Sequence, residues 1–168
     1  MASIFKKIFG KDNTEYTEKV SEQPIEETKL ILDDLNDKEI EYIKNNIELA
    51  TELLKELDIT GDVHQFNPNS IDKAIETCFT DNLENRIGID IDIFSNAMAC
   101  AWGKYLVDKL GMKWYVITDN FGTEIGLYHE TNDTTIFPFN STSKAFDNMA
   151  FDLISIITQK TKEVLEQK

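Results

Sequence analysis

Arginine occurs once in this chain of 168 residues, at Arg86; there are also only three prolines, two cysteines and two histidines. A single arginine nearly removes the planar fork that grips phosphate or a guanine edge through two parallel hydrogen bonds. Cys78 and Cys100 stand alone inside apolar patterns, with no CxxC spacing. Buried reduced thiols in a cytoplasmic protein are the expectation, with neither a disulfide framework nor a metal knuckle. His64 and His129 lack helical pairing, so no zinc site is expected. No apolar run approaches the roughly 18 residues of a membrane span. The opening "MASIFKKIFGK" has no apolar core or small-residue cleavage point, so no secretion signal is read there. A phosphate-cradling glycine loop, a G-x-S-x-G elbow and a Cys–His pairing signature are all missing. No cofactor is expected, and no catalytic set is legible.

What is abundant is acid. Thirty-one Asp and Glu stand against 17 Lys and Arg, a net charge of −14. Residues 12–62 hold 16 acids and 5 bases, whereas residues 1–11 are net +3. Such a field repels a polyanion, so direct nucleic-acid binding is excluded as an expectation, and a basic protein partner is favoured.

The chain divides into three parts. Residues 1–11 form a short basic amphipathic segment, with Ile4, Phe5, Ile8 and Phe9 on one helical face and Lys6, Lys7 and Lys11 on the other. That pattern suits contact with the inner surface of a membrane. Residues 12–23 are acidic and have little to bury, and read as a flexible linker. Residues 24–168 read as a single α+β domain.

Within that domain a short helix is expected over Ile25–Leu35. A longer one follows from a cap at Asn36 or Asp37, with Ile40, Ile43, Ile47, Ala50, Leu54 and Leu57 inward. Its wet side carries Glu41, Glu48, Glu52 and Glu56. Ser70 is read as the cap of the next helix, and Gly111 as the left-handed cap that ends a central helix built on Phe94, Ala97, Met98, Ala101, Trp102 and Leu106. After the strands, a C-terminal helix with Met149, Leu153, Ile156, Ile157 and Val164 inward is expected. The fold class is α+β: a three-stranded antiparallel meander over about 113–139, packed with several helices.

The meander can be assigned a register. If Thr118 faces Thr123 across "DNFG", then Val116 faces Ile125 and Trp114 faces Leu127, all on one side. A one-residue slip scatters this set. The third strand, Thr134–Phe139, adds Ile136 to that face and must be an edge, because Pro138 cannot donate to a ladder. The second face collects Tyr115, Ile117, Tyr128, Phe137 and Phe139, bordered by Lys113 and Glu124, and Gly126 leaves room for a ring beside Tyr115.

At "AWGKYLVDKLGMKWYVITDNFGTEIGLYHETNDTTIFPFNSTSKAF" the chain resembles a bacterial family, domain of unknown function 3806. The resemblance rests on Gly103 and Leu106, on Gly111 to Trp114, on Gly122 to Glu124, and on Pro138 with Phe139, across about Ala101 to Phe146. Lys104 stands where the family pattern often has an acid. The resemblance implies no catalytic residues.

Three functions compete on these residues. The first is a non-catalytic protein-interaction module, such as an immunity-type inhibitor of a basic effector, using Tyr115, Ile117, Tyr128 and Phe137 or the acids Glu41, Glu48, Glu52 and Glu56. The second is a hydrolytic or small-ligand enzyme using Asp90, Asp92, Glu124 and His129, which requires those four to meet. The third is a peripheral membrane adaptor held by residues 1–11.

Overall fold

A computed structural model describes residues 30–59, 66–80 and 88–167. The amphipathic segment 1–11, the linker 12–23, His64 and Arg86 therefore lie outside the described residues. Within them the order is β1 (Ile31–Asp33), α1 (Asp37–Glu56), α2 (Pro68–Thr80), α3 (Ile91–Leu110), β2 (Lys113–Asp119), β3 (Gly122–His129), β4 (Thr134–Ile136), α4 (Pro138–Asp147) and α5 (Leu153–Glu166). The fold is α+β.

The helix α3 is the axis of the fold. Phe94, Ala97, Met98, Ala99, Cys100, Ala101, Trp102 and Leu106 are all fully buried, so its middle turns are enclosed on every side. Its neighbours are α1, α2, α4 and α5. A helix apolar all round must be wrapped in this way, and the small residues at 97, 99, 101 and 103 let the wrapping elements approach. Its ends are set locally. The Asp90 side chain accepts from the N–H groups of Asp92, at 2.8 Å, and Ile93, at 3.4 Å. Gly111 closes the other end at φ 66°. In α1, Asn36 is the cap and shares a reciprocal capping box with Glu39.

Several polar groups enclosed with this core are matched. The Trp102 indole N–H donates to the Thr158 hydroxyl at 2.9 Å, which in turn donates to the Ile154 carbonyl at 2.7 Å. The Ser95 hydroxyl donates to that of Thr142 at 3.3 Å. Asp72, buried on α2, accepts from the backbone N–H groups of Ile154, at 3.1 Å, and Ser155, at 2.9 Å. It thus caps α5 from another helix, while Asp152, the local cap residue, makes no side-chain cap bond. Burial pushes the Asp72 carboxyl up, and the hydrogen bonds from Ser155 and Ile154 oppose that.

The sheet has the order β1-β2-β3-β4 and is antiparallel throughout. Its register is the expected one: Thr118 faces Thr123, Val116 faces Ile125, Trp114 faces Leu127, and Leu127 faces Ile136. Trp114, Leu127 and Ile136 join the main core. The turn is tighter than expected. Asp119 pairs with Gly122, leaving a two-residue loop, Asn120 and Phe121.

Several local expectations are corrected. The sheet has four strands, not three, because Ile31–Asp33, expected inside a helix over Ile25–Leu35, pairs with Val116–Thr118. The cap of α2 is Asn67 rather than Ser70. Its side chain accepts from the Ser70 N–H at 2.9 Å, and Pro68 occupies the first helical position, where a missing N–H costs nothing. The last strand stops at Ile136, and Pro138 opens α4 for the same reason. Phe139 therefore leaves the Tyr115 face and lies against Trp114, ring centroids 6.2 Å apart. The expected C-terminal helix is two helices. The chain breaks at Met149, which has φ 49° and is 63% exposed, so neither it nor the 40% exposed Ile156 belongs to the inward stripe.

Candidate functional site

The β2–β3 ribbon is anchored at one end and projects at the other. At the anchored end, a Cβ placed on Gly103 of α3 would overlap the Trp114 ring, so glycine lets that ring lie on the helix backbone. Phe139 packs on Trp114, and Tyr42 of α1 on Phe139, again with centroids 6.2 Å apart. Three residues of the sequence resemblance, Gly103, Trp114 and Phe139, are thus one packed unit. Lys104, the departure from that pattern, pairs with Asp108 at 2.9 Å on a half-exposed surface.

The outer face carries the expected Tyr115, Ile117, Tyr128 and Phe137, but it is not an open aromatic patch. Tyr115 is 7% and Ile117 1% exposed; Tyr128 and Phe137 are half-buried. Gly126 makes this closeness possible. Ile117 Cδ1 and Phe137 Cδ1 each lie 2.8 Å from where a Cβ would stand. The polar heads bond to one another. The Tyr115 hydroxyl donates to Glu130 at 3.0 Å and the Tyr128 hydroxyl to Asp133 at 2.9 Å, with the two rings edge-on at 6.3 Å. The Lys113 ammonium sits 4.8 Å from the Tyr115 ring centroid and 3.7 Å from Asp34. Tyr115, then Asp34 and Glu130, hold its pKa above the ordinary lysine value, and the bond to Asp133 raises that of Tyr128. This cluster is internally satisfied.

The candidate catalytic residues do not converge. Asp90 and Asp92 open α3, whereas His129 Nε2 lies 4.0 Å from a Cβ position on Gly111, at the other end of that helix. Twenty residues of α-helix separate the two ends by roughly 30 Å. Glu124 is five positions from His129 along β3, which is roughly 17 Å of strand. Both aspartates have a structural role instead, as the cap and the first-turn acid of α3. His129 Nδ1 is the one buried side-chain nitrogen or oxygen without a partner among the described residues. No group of three His, Cys, Asp or Glu among the described residues is placed to hold a metal ion, and no described helix is long and apolar enough to cross a membrane.

At the projecting end, Phe121 is 96% exposed, the highest value for a large apolar residue among the described residues. Its backbone is held firmly. The Asp119 carboxylate accepts from the N–H groups of Phe121, at 2.7 Å, and Gly122, at 3.2 Å. Asp at the first and Gly at the fourth position is the preferred chemistry of a tight turn, and Gly122 has φ 146°, which favours glycine. The hydroxyls of Thr118 and Thr123 bond across the rung next to the last at 2.7 Å. Ile31, 49% exposed, pairs with Thr118 at the same end. Burial and the nearby Asp119 raise the pKa of Glu124, while Lys144 and Asn140 of α4 pull it down. In the sequence Phe121 is only a residue of the turn "DNFG". The available signal was an aromatic residue at a turn centre, where Asn, Asp or Gly is usual.

On α1, Glu41, Glu48, Glu52 and Glu56 are all exposed. Their spacings of seven, four and four residues keep them on one stripe, roughly 22 Å long. Glu48 meets Lys44 at 3.9 Å, with both side chains largely in solvent. Such a pair is worth little.

These features define an α+β domain in which a short antiparallel sheet, fastened to a central buried helix, extends a hairpin into solvent. Residues 90–156, from the cap of α3 to the first turn of α5, match the family model described as Domain of unknown function (DUF3806). No curated protein and no solved structure matches the chain.

Proposed function

We propose that this protein is a non-catalytic interaction module for a partner with a basic surface. The observation that carries the reading is the exposed glutamate stripe of α1, set in a chain of net charge −14. Glutamates spread along about 22 Å of rigid helix present a fixed negative line. Lysines and arginines on a partner would answer it, with long-range attraction speeding encounter. An inhibitor seated on a basic effector is one form of such a module. Supporting it from the other side, the four residues available for hydrolysis are spread over opposite ends of α3 and along β3.

The test is capture on the immobilised full-length chain from cells that make it, at low and high salt. Proteins retained at low salt are expected to be rich in Lys and Arg and to be released as ionic strength rises. The variant combining Glu41→Gln, Glu48→Gln, Glu52→Gln and Glu56→Gln is expected to lose most of that retention. A retained protein indifferent to both salt and the four substitutions would overturn the reading.

A further inference from the structure

We infer that the tip of the β2–β3 hairpin is the anchor of the interaction, with Phe121 entering an apolar pocket rimmed by basic residues on the partner protein. The inference rests on the function proposed above and places its centre away from the acidic helix.

Three observations carry it. Phe121 has nothing to pack on: at 96% exposure it contributes almost no burial to this fold, so the fold does not explain an aromatic side chain there. Its backbone is ordered in advance by two hydrogen bonds to Asp119 and by the Thr118–Thr123 bridge one rung below. An aromatic ring on a fixed backbone loses little freedom on docking, which is the character of residues that dominate protein interfaces. Finally, Phe121 is flanked along the chain by two carboxylates, Asp119 two residues before it and Glu124 three after, and burial and then the charge of Asp119 raise the pKa of Glu124. Lys144 of α4 acts on Glu124 in the opposite sense. A cationic rim around the receiving pocket would relieve the repulsion as the ring entered.

The same charges decide against other occupants. An anionic bilayer would be repelled by Asp119, by Glu124 and by the net charge of −14. A second copy of the chain would bring like charge to like charge.

The experiment uses the full chain with a photo-crosslinking phenylalanine analogue at position 121, irradiated in cells that make the protein. A single crosslinked protein is expected, joined at an apolar segment flanked by Lys or Arg, and formed less when Glu124→Lys reverses the charge beside the tip without touching the bonds that Asp119 makes to the turn. Phe121→Ser is expected to weaken affinity for that purified partner at least tenfold without altering the thermal unfolding of the chain. A loss below twofold overturns the inference, as does the absence of a crosslinked protein. Self-association abolished by Phe121→Ser in sedimentation would overturn it in favour of a second copy. Pelleting with phosphatidylcholine–phosphatidylglycerol vesicles, abolished by the same change, would overturn it in favour of a lipid surface. If the four Glu→Gln changes of α1 abolish binding while Phe121→Ser does not, this inference fails and the broader function stands. If Phe121→Ser abolishes binding to a partner without a basic surface, the broader function fails.

Discussion

The two ends of one hairpin obey opposite rules. Near its base, Trp114 and Leu127 face each other across the ladder and join the main core, and Trp114 presses on α3, where even a methyl group on Gly103 would overlap the indole. At its tip, seven residues from Trp114, Phe121 touches solvent on nearly all sides. The strands are continuous and the register is regular between them, so the difference lies in what each end rests on. Aromatic residues at the base hold the domain together, and the aromatic residue at the tip is free of that duty.

Substitutions can break or sharpen this contrast. Leu127→Ala removes a fully buried side chain at the anchored end and should cost about 3 kcal/mol in urea unfolding. Gly103→Ala sets two effects against each other. Alanine favours the helix by about 1 kcal/mol, but the overlap with Trp114 displaces a packed ring, for a net loss of about 2 kcal/mol. A stabilised Gly103→Ala protein would show that the indole can move aside and that the base is looser than described. At the tip, the folded protein holds the Glu124 proton more tightly than the unfolded chain does. Stability from this group is therefore present at low pH and declines as pH rises from the unfolded value near 4.5 through the higher folded one. Glu124→Gln should flatten that slope in unfolding curves recorded across the acid range. Phe121→Ser should change stability by less than about 0.5 kcal/mol, measured the same way. A larger loss would mean that the tip also serves the fold.

What was legible follows the physics of period and partner. The hairpin register could be read because only one alignment gathers Trp114, Val116, Ile125 and Leu127 on one face, and the structure has that alignment. Gly111 could be read because a helix end needs a left-handed residue beside it. The strand Ile31–Asp33 could not. Three residues are too few to display a period of two, and their partner is more than eighty positions away. Pro138 was ambiguous in principle, since the same missing N–H suits an edge strand and a first helical turn. The break at Met149 carries neither glycine nor proline and is visible only in the backbone. As for the candidate surface, alternation placed Tyr115, Ile117, Tyr128 and Phe137 on one face. Their burial depends on Gly126 and on bonds to Glu130 and Asp133, which no pattern within a strand displays.

The cap that Asp72 provides for α5 reaches across 82 positions of chain to the N–H of Ile154. It also crosses the boundary of the family segment, which opens at Asp90 and closes one residue after Ser155. A polypeptide cut at those limits would keep the two N–H groups and lose the carboxylate that accepts from them. It would lose α1 and α2 with it. The stretch that matches the family model is therefore smaller than the unit whose hydrogen bonds close, and the cap of α5 is completed by chain outside it.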